Sequence, residues 1–267
     1  MFEREWFEAG LFKLFYVLVF LAMLAPLFII AGSSLAQSGY LQFPPSEVSL
    51  TWYFEFLNDD QWLTAVKNSA ITASGTVVLS TTLGVTAALG VQGADSRWTN
   101  ILVPLALLPL LIPAVVIGVT LLMFLSRFNL QQSYPGIVLA HSLWATPLVF
   151  FIMQAVLSRF DWELRDAGQD LGAGPFRTFF EVVLPNIRHG IFASAIIAFI
   201  ISLQEFIMAL FLSGYQTRTV PVLAWVSLRQ SLSPLISVVT TILILATLVL
   251  VIPAAVVLGL ERLAKQL

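Results

Sequence analysis

Six long apolar stretches, at about residues 11–33, 63–91, 100–126, 135–157, 187–213 and 235–260, constrain this chain more than any other feature. Each is long enough to cross a hydrocarbon core about 30 Å thick, which takes roughly 20 mostly apolar residues in a helix. The stretches are continuous and lack strict alternation, which predicts helices rather than barrel strands. Polar breaks separate them: Gln37 to Asp60 with Pro44 and Pro45, then Gln92-Gly93-Ala94-Asp95-Ser96-Arg97, then Gly214 to Pro221. Only 10% of the 267 residues are charged and 58% are hydrophobic, against about 25% charged in an ordinary soluble domain. A surface facing water cannot be assembled from that material. The expectation is an all-α membrane protein with six transmembrane helices and one transmembrane domain over residues 1–267. The chain has no cysteine, which excludes disulfides, thiolate metal sites and a cysteine nucleophile.

Lys and Arg placement predicts the orientation. With both termini inside, Arg4, Lys13, Arg97, Arg159, Arg165, Arg177, Arg188, Arg262 and Lys265 share one side. Lys67, Arg127, Arg218 and Arg229 hold the other. That majority points to cytoplasmic termini. Ser158 to Gly190 then forms the largest cytoplasmic loop, and residues 37–62 face outward. Trp52, Tyr53, Phe54, Phe56 and Trp62 in that outer loop suit the membrane–water interface. The first stretch, followed by Ser34-Leu35-Ala36, superficially resembles a signal peptide. It exceeds a typical h-region of about 7–15 residues, and the expectation is that it stays as a helix.

The loop over residues 158–186 carries the functional signal. Asp161 suits a helix N-cap, Gly172 and Gly174 suit a helix stop, and Pro175 suits the first position of a second helix. Leu164, Ala167 and Leu171 fall on one helical face. Gly168 and Gly172, four residues apart, read as a bare strip of backbone open to another protein. Pro185 reads as a break before the fifth stretch. Taken on physics alone, this is an amphipathic connector at the membrane surface.

The same residues resemble the EAA motif of ABC importer permeases: E-A-A, three residues, G, nine residues, an aliphatic, one residue, then L-P. Asp166, Ala167 and Gly168 stand at the E-A-A positions, Gly172 at the glycine, Val182 at the aliphatic and Leu184-Pro185 at the end. All spacings match, with Asp for Glu and Gly for the second Ala as departures. Pro44-Pro45, Ser49 to Tyr53, Asn68-Ser69, Ser202 to Phe206 and Leu210 to Gly214 are similar to the spermidine/putrescine-type branch. The resemblance implies a type I ABC importer permease fold and a coupling helix that docks on a cytoplasmic ATPase. It implies as partners an ATPase subunit dimer, a second homologous permease, a periplasmic or extracellular solute-binding protein, a small-molecule solute and membrane lipid, with no nucleic acid. It implies a multi-pass protein of the bacterial inner membrane that carries no cofactor itself, ATP and Mg being bound by the partner. That branch commonly has two acidic residues where this chain has Gln204 and Glu205, so the expected solute is a polyamine or a related amine or amino-acid-like compound.

Charged groups within a membrane are expensive and usually functional. Glu205 is the acidic residue set deep in a predicted span. His141 lies at similar depth in the fourth, with Trp144 one turn further on the same face. Glu205, Gln204, His141 and Trp144 are therefore the candidate lining of the solute path, where a carboxylate and an aromatic face suit a cationic amine. The competing reading pairs Glu205 with His141 structurally. Nothing matches G-x-x-x-x-G-K-[ST], so the ATP-hydrolysing motor is not expected on this chain. Two rivals remain: an ion-coupled transporter acting alone, and an intramembrane serine protease using Ser74 and His141.

Overall fold

The computed structural model describes residues 2–92, 97–230 and 233–257. The predicted break at Gly93 to Ser96, the end of the sixth stretch and the basic residues Arg262 and Lys265 lie outside the described residues. The chain divides into two compact units, Met1–Leu63 with Ala224–Leu245, and Thr64–Leu223 with Ala246–Leu267.

In the first unit, helix α1 (Phe2–Ser33) carries the first apolar stretch. Its side chains from Phe12 through Met23 are exposed, a surface suited to bilayer or to another protein. Beyond it the chain doubles back. Gln37 donates to Glu47 O at 3.0 Å and Ser49 to Leu35 O at 2.8 Å. Ser34 Oγ then meets the Tyr53 hydroxyl at 2.8 Å, tying the loop to helix α2 (Thr51–Asn58). Tyr53 was expected as an interfacial anchor, and its hydroxyl is the polar handle that such a ring requires.

The second unit is built on three long helices. These are α3 (Asp60–Val91), α7 (Tyr134–Leu157) and α10 (Leu184–Gln204). Between α3 and α7 lie α4 (Arg97–Ala106), α5 (Leu108–Leu111) and α6 (Ala114–Ser126). Between α7 and α10 lie α8 (Glu163–Asp170), α9 (Pro175–Thr178) and a π-helical turn, Phe179–Val183. After α10 come α11 (Ile207–Leu212), then α12 (Val220–Gln230) and α13 (Leu235–Val257), of which Ala224–Leu245 belongs to the first unit. Beyond a single bridge, Ala36 with Val48, the described residues contain no β pairing.

Small residues let the long helices approach closely, as expected where lipid supplies no hydrophobic drive between helices. Gly75 and Gly84 of α3 receive Val138 and Val149 of α7, and Gly190 of α10 receives Val156. These pairs ascend together on α3 and α7, so those helices run parallel. Val156 meets Gly190 while His141 meets Ser202, so α7 and α10 run antiparallel. Alternate crossing of a membrane produces that arrangement. One core collects Val149, Phe150, Met153 and Leu157 with Val183 and Ile187. Another joins Ile117 and Leu125 to Ile137, Met208 and Leu212.

Five helices among the described residues are long and apolar enough to cross a bilayer. The stretch at 100–126 is not a single helix. It is interrupted at Leu107 and again at Ile112-Pro113. Pro104, Pro109 and Pro113 explain this, since each lacks an N–H and crowds the carbonyl four residues earlier. Pro113 leaves the Pro109 carbonyl without its helical donor, and Trp144 Nε1 supplies one at 3.0 Å. The stretch at 187–213 also differs: helical structure enters it from Pro175 and stops at Gln204.

Candidate functional site

The cytoplasmic loop of the sequence reading folds as a short helix, a turn and a second helix that continues into a span. Asp161 Oδ1 accepts the Glu163 N–H at 3.0 Å and opens α8. At the other end, Gly172 N donates to Gln169 O at 2.9 Å and Ala173 N to Gly168 O at 3.1 Å. This pair of bonds is a Schellman motif, with Gly172 as its left-handed residue at φ 88°. A side chain would be strained there, which is the physical reason for a glycine at this position.

Asp166, Ala167 and Leu171 are exposed on α8, Leu171 at 91%. Leu164 and Phe176 are exposed as well. The face formed by Leu164, Ala167 and Leu171 therefore does not rest on the body of the chain. Asp166 is held by Arg165, whose Nε donates to Oδ1 at 2.8 Å, and Arg165 lies 5.1 Å over the Trp162 ring.

Two features of the loop differ from the sequence reading. Gly168 is not an open strip: a Cβ there would lie 3.4 Å from Thr178 Cγ2 and 3.5 Å from Val182 Cγ2. That face of α8 is covered by the chain's own second arm. Pro185 does not interrupt the entry to the span. The backbone passes from α9 through the π turn into α10 with helical angles at the junctions. The π turn widens the helix just before Pro185, where the ring would crowd the Glu181 carbonyl in a regular α-helix. Leu184 and Pro185 thus form the first turn of α10, and α9 is joined to that span by continuous helix.

At the far end of α10 the helix breaks between Gln204 and Ile207, inside the apolar stretch. Glu205 is extended there, at φ −66° and ψ 122°. Its Oε1 accepts the Met208 N–H at 2.9 Å and its Oε2 the Ala209 N–H at 3.0 Å. The carboxylate thus caps α11 and satisfies donors that no water would reach in a bilayer. His141 Nε2 lies 3.3 Å from Glu205 Oε2, at ion-pair distance but without hydrogen-bond alignment. His141 Nδ1 pairs with Ser202 Oγ at 2.7 Å, and Ser202 Oγ with Thr76 Oγ1 at 3.2 Å. A buried polar chain therefore runs through α3, α10, α7 and the α10–α11 break.

The structure brings Glu205 and His141 together and sets Gln204 and Trp144 apart from them. Gln204 is exposed and donates to Thr247 of α13 at 3.1 Å. Trp144 is half-buried and fastens Pro109. Sequence reasoning missed Ser202 and Thr76. Ser202 lies one turn before Glu205, a signal available in the sequence, whereas Thr76 is legible only in three dimensions. The serine beside His141 is Ser202 and not Ser74. His141 has no exposed surface and Ser202 almost none, so no substrate reaches this Ser–His–Glu arrangement.

Residues 80–260 match the family described as binding-protein-dependent transport system inner membrane component. The chain belongs to this family. It is an ABC importer permease of the spermidine/putrescine branch, a multi-pass protein of the inner membrane. It is 30% identical over 203 residues to the putrescine transport system permease protein PotI of Escherichia coli (strain K12), covering 73% of this chain and 72% of that one. It is 23% identical over 201 residues to the spermidine/putrescine transport system permease protein PotC of the same organism, covering 75% and 76%. To the probable molybdenum ABC transporter permease protein of Haloferax volcanii it is 30% identical over 197 residues, covering 71% and 72%. In fold the permease resembles a crystallised bacterial alginate ABC transporter in complex with a periplasmic protein bound to an alginate pentasaccharide. The TM-score is 0.70 at 14% identity, covering 97% of this chain and 95% of that one.

Proposed function

We propose that this permease forms half of the membrane path of an ATP-driven importer for a polyamine or related amine, with a second permease as the other half. A separate ATPase dimer would drive it and an external binding protein would deliver the solute. Both termini would be cytoplasmic, with α4 to α6 forming one interrupted crossing among six. The observation that carries this reading is the exposed α8, closed by the Gly172 turn and followed by α9, which runs without a break into α10. Leu164, Ala167 and Leu171 give α8 an exposed apolar face, suited to a cleft in the ATPase. Force applied there passes through the Gly172 turn and α9 into α10 and arrives at the Glu205 break.

Within the solute path, Gln204 is the candidate whose side chain is exposed. Glu205 and His141 act from behind it by fixing the break that presents it, and Trp144 holds the interrupted crossing. The amine reading rests on likeness to the two polyamine permeases. The molybdenum relative, at equal identity to the putrescine one, is the alternative to be beaten.

The test is expression with the ATPase, partner permease and binding protein of the same system. Leu171→Asp is expected to abolish co-purification of the ATPase while leaving the permease in the membrane. Full co-purification would overturn the coupling assignment. Uptake of labelled putrescine by reconstituted complex, with none of molybdate, is the expected solute result. The reverse would overturn the amine assignment.

A further inference from the structure

A cavity of about 430 Å³ opens where the loop leaves α7, walled by the end of α7, the start of α8 and the first turns of α10. Its polar wall is Arg159, His189, Asn186 and Asp161, and its apolar wall includes Val156 and Ile187. Among the described residues neither Arg159 nor His189 has an ion-pair partner. Asp161, the acidic group in the wall, has Oδ1 occupied by the Glu163 N–H. The Asn186 amide nitrogen donates back to Val182 O at 2.7 Å. Arg159 stands two residues beyond the apolar span, which ends at Leu157. The Phe160 and Trp162 rings pack edge to face beside it at 4.9 Å. Such aromatic and basic residues mark headgroup depth.

We infer that this cavity binds the phosphate group of a membrane phospholipid. Arg159 and His189 hold the phosphate, because an anion at this depth finds a forked guanidinium donor with no competing carboxylate paired to it. The Val156 and Ile187 wall receives the apolar start of the acyl region. The ligand spans the root of α8 and the bases of two membrane helices, so it stiffens the joint through which α8 acts. The assignment of the loop to the cytoplasmic leaflet rests on the importer reading above; the phosphate chemistry rests on the cavity alone.

The test uses the full-length permease purified alone in mild detergent, with native mass spectrometry counting retained phospholipid. The double variant Arg159→Gln/His189→Gln is expected to retain on the order of tenfold less of one phospholipid, the loss expected for charge-assisted contacts. Arg188→Gln removes an equal charge from the adjacent position, which does not line the cavity, and is expected to leave retention unchanged. Arg159→Lys preserves the charge and the topology signal and is expected to retain lipid above the double variant. Equal retention by wild type and double variant, or equal loss in Arg188→Gln, would overturn the site. A retained mass equal to inorganic phosphate, with no phospholipid bound, would overturn the lipid as its source. Because no ATPase is present in this measurement, a failed coupling assignment leaves its outcome untouched.

Discussion

Two helix breaks in this permease solve one problem in opposite surroundings. Between α8 and α9 the chain is exposed, and Gly172 closes α8 with backbone bonds alone. Water is available for any carbonyl the turn leaves over. Between α10 and α11 the chain is buried in an apolar stretch, and a carboxylate closes the gap by accepting two backbone N–H groups. The lesson is that an acidic residue within a span need not face a solute. Here its first task is to replace the water that a broken helix would otherwise need.

The comparison can be broken most severely at Glu205. Glu205→Ala removes the cap of α11 and leaves His141 buried without its acidic neighbour. The Met208 and Ala209 N–H groups lose their acceptor, at about 1–3 kcal/mol for each unsatisfied buried group. Thermal unfolding of the purified permease in detergent is expected to shift accordingly, and an unchanged midpoint would show that the break supports itself. Ser202→Ala comes next. It strands His141 Nδ1, at about 1–3 kcal/mol for an unsatisfied buried group, and Ser202→Thr is expected to recover part of the loss in the same assay.

At the exposed break the effects are smaller. Gly172→Ala forces a Cβ into the left-handed region, a penalty of roughly 1–2 kcal/mol. Its expected signature is faster proteolysis of the loop and weaker ATPase stimulation, with little change in the global unfolding midpoint. Gly168→Ala is expected to act in the stabilising direction by up to about 1 kcal/mol, because its methyl would meet Thr178 and Val182 at ordinary contact distance. Protection of α8 amides from hydrogen exchange would measure it. The smallest effect is expected for Arg177→Ala. It breaks an exposed pair in which Arg177 Nε is shared between the two Glu181 carboxylate oxygens, worth less than about 0.5 kcal/mol, so unfolding in detergent should hardly move.

Much of this was legible in the sequence because membranes simplify the code. Long apolar stretches have few alternatives to helix, and the loop motif announced itself by spacing. The interruption of the 100–126 stretch was also written there, in Pro104, Pro109 and Pro113, though apolar length masked it. The break at Glu205 had no such punctuation. Gln204-Glu205-Phe206 contains neither proline nor glycine, and the carboxylate that caps the break has His141, far away in sequence, as its buried neighbour. Gly168 looked open because helical spacing shows which residues share a face and not what covers it. The second arm that covers it folds back only after the turn at Gly172.

The valines of α7 seated in glycine notches have a mechanical consequence. Val138, Val149 and Val156 each occupy a recess at Gly75, Gly84 or Gly190. Sliding one helix along another by a single turn would lift these teeth onto neighbouring side chains. The three helices are geared against axial slip, so a displacement along α10 at its Leu184 end is resisted by α7 and α3 together.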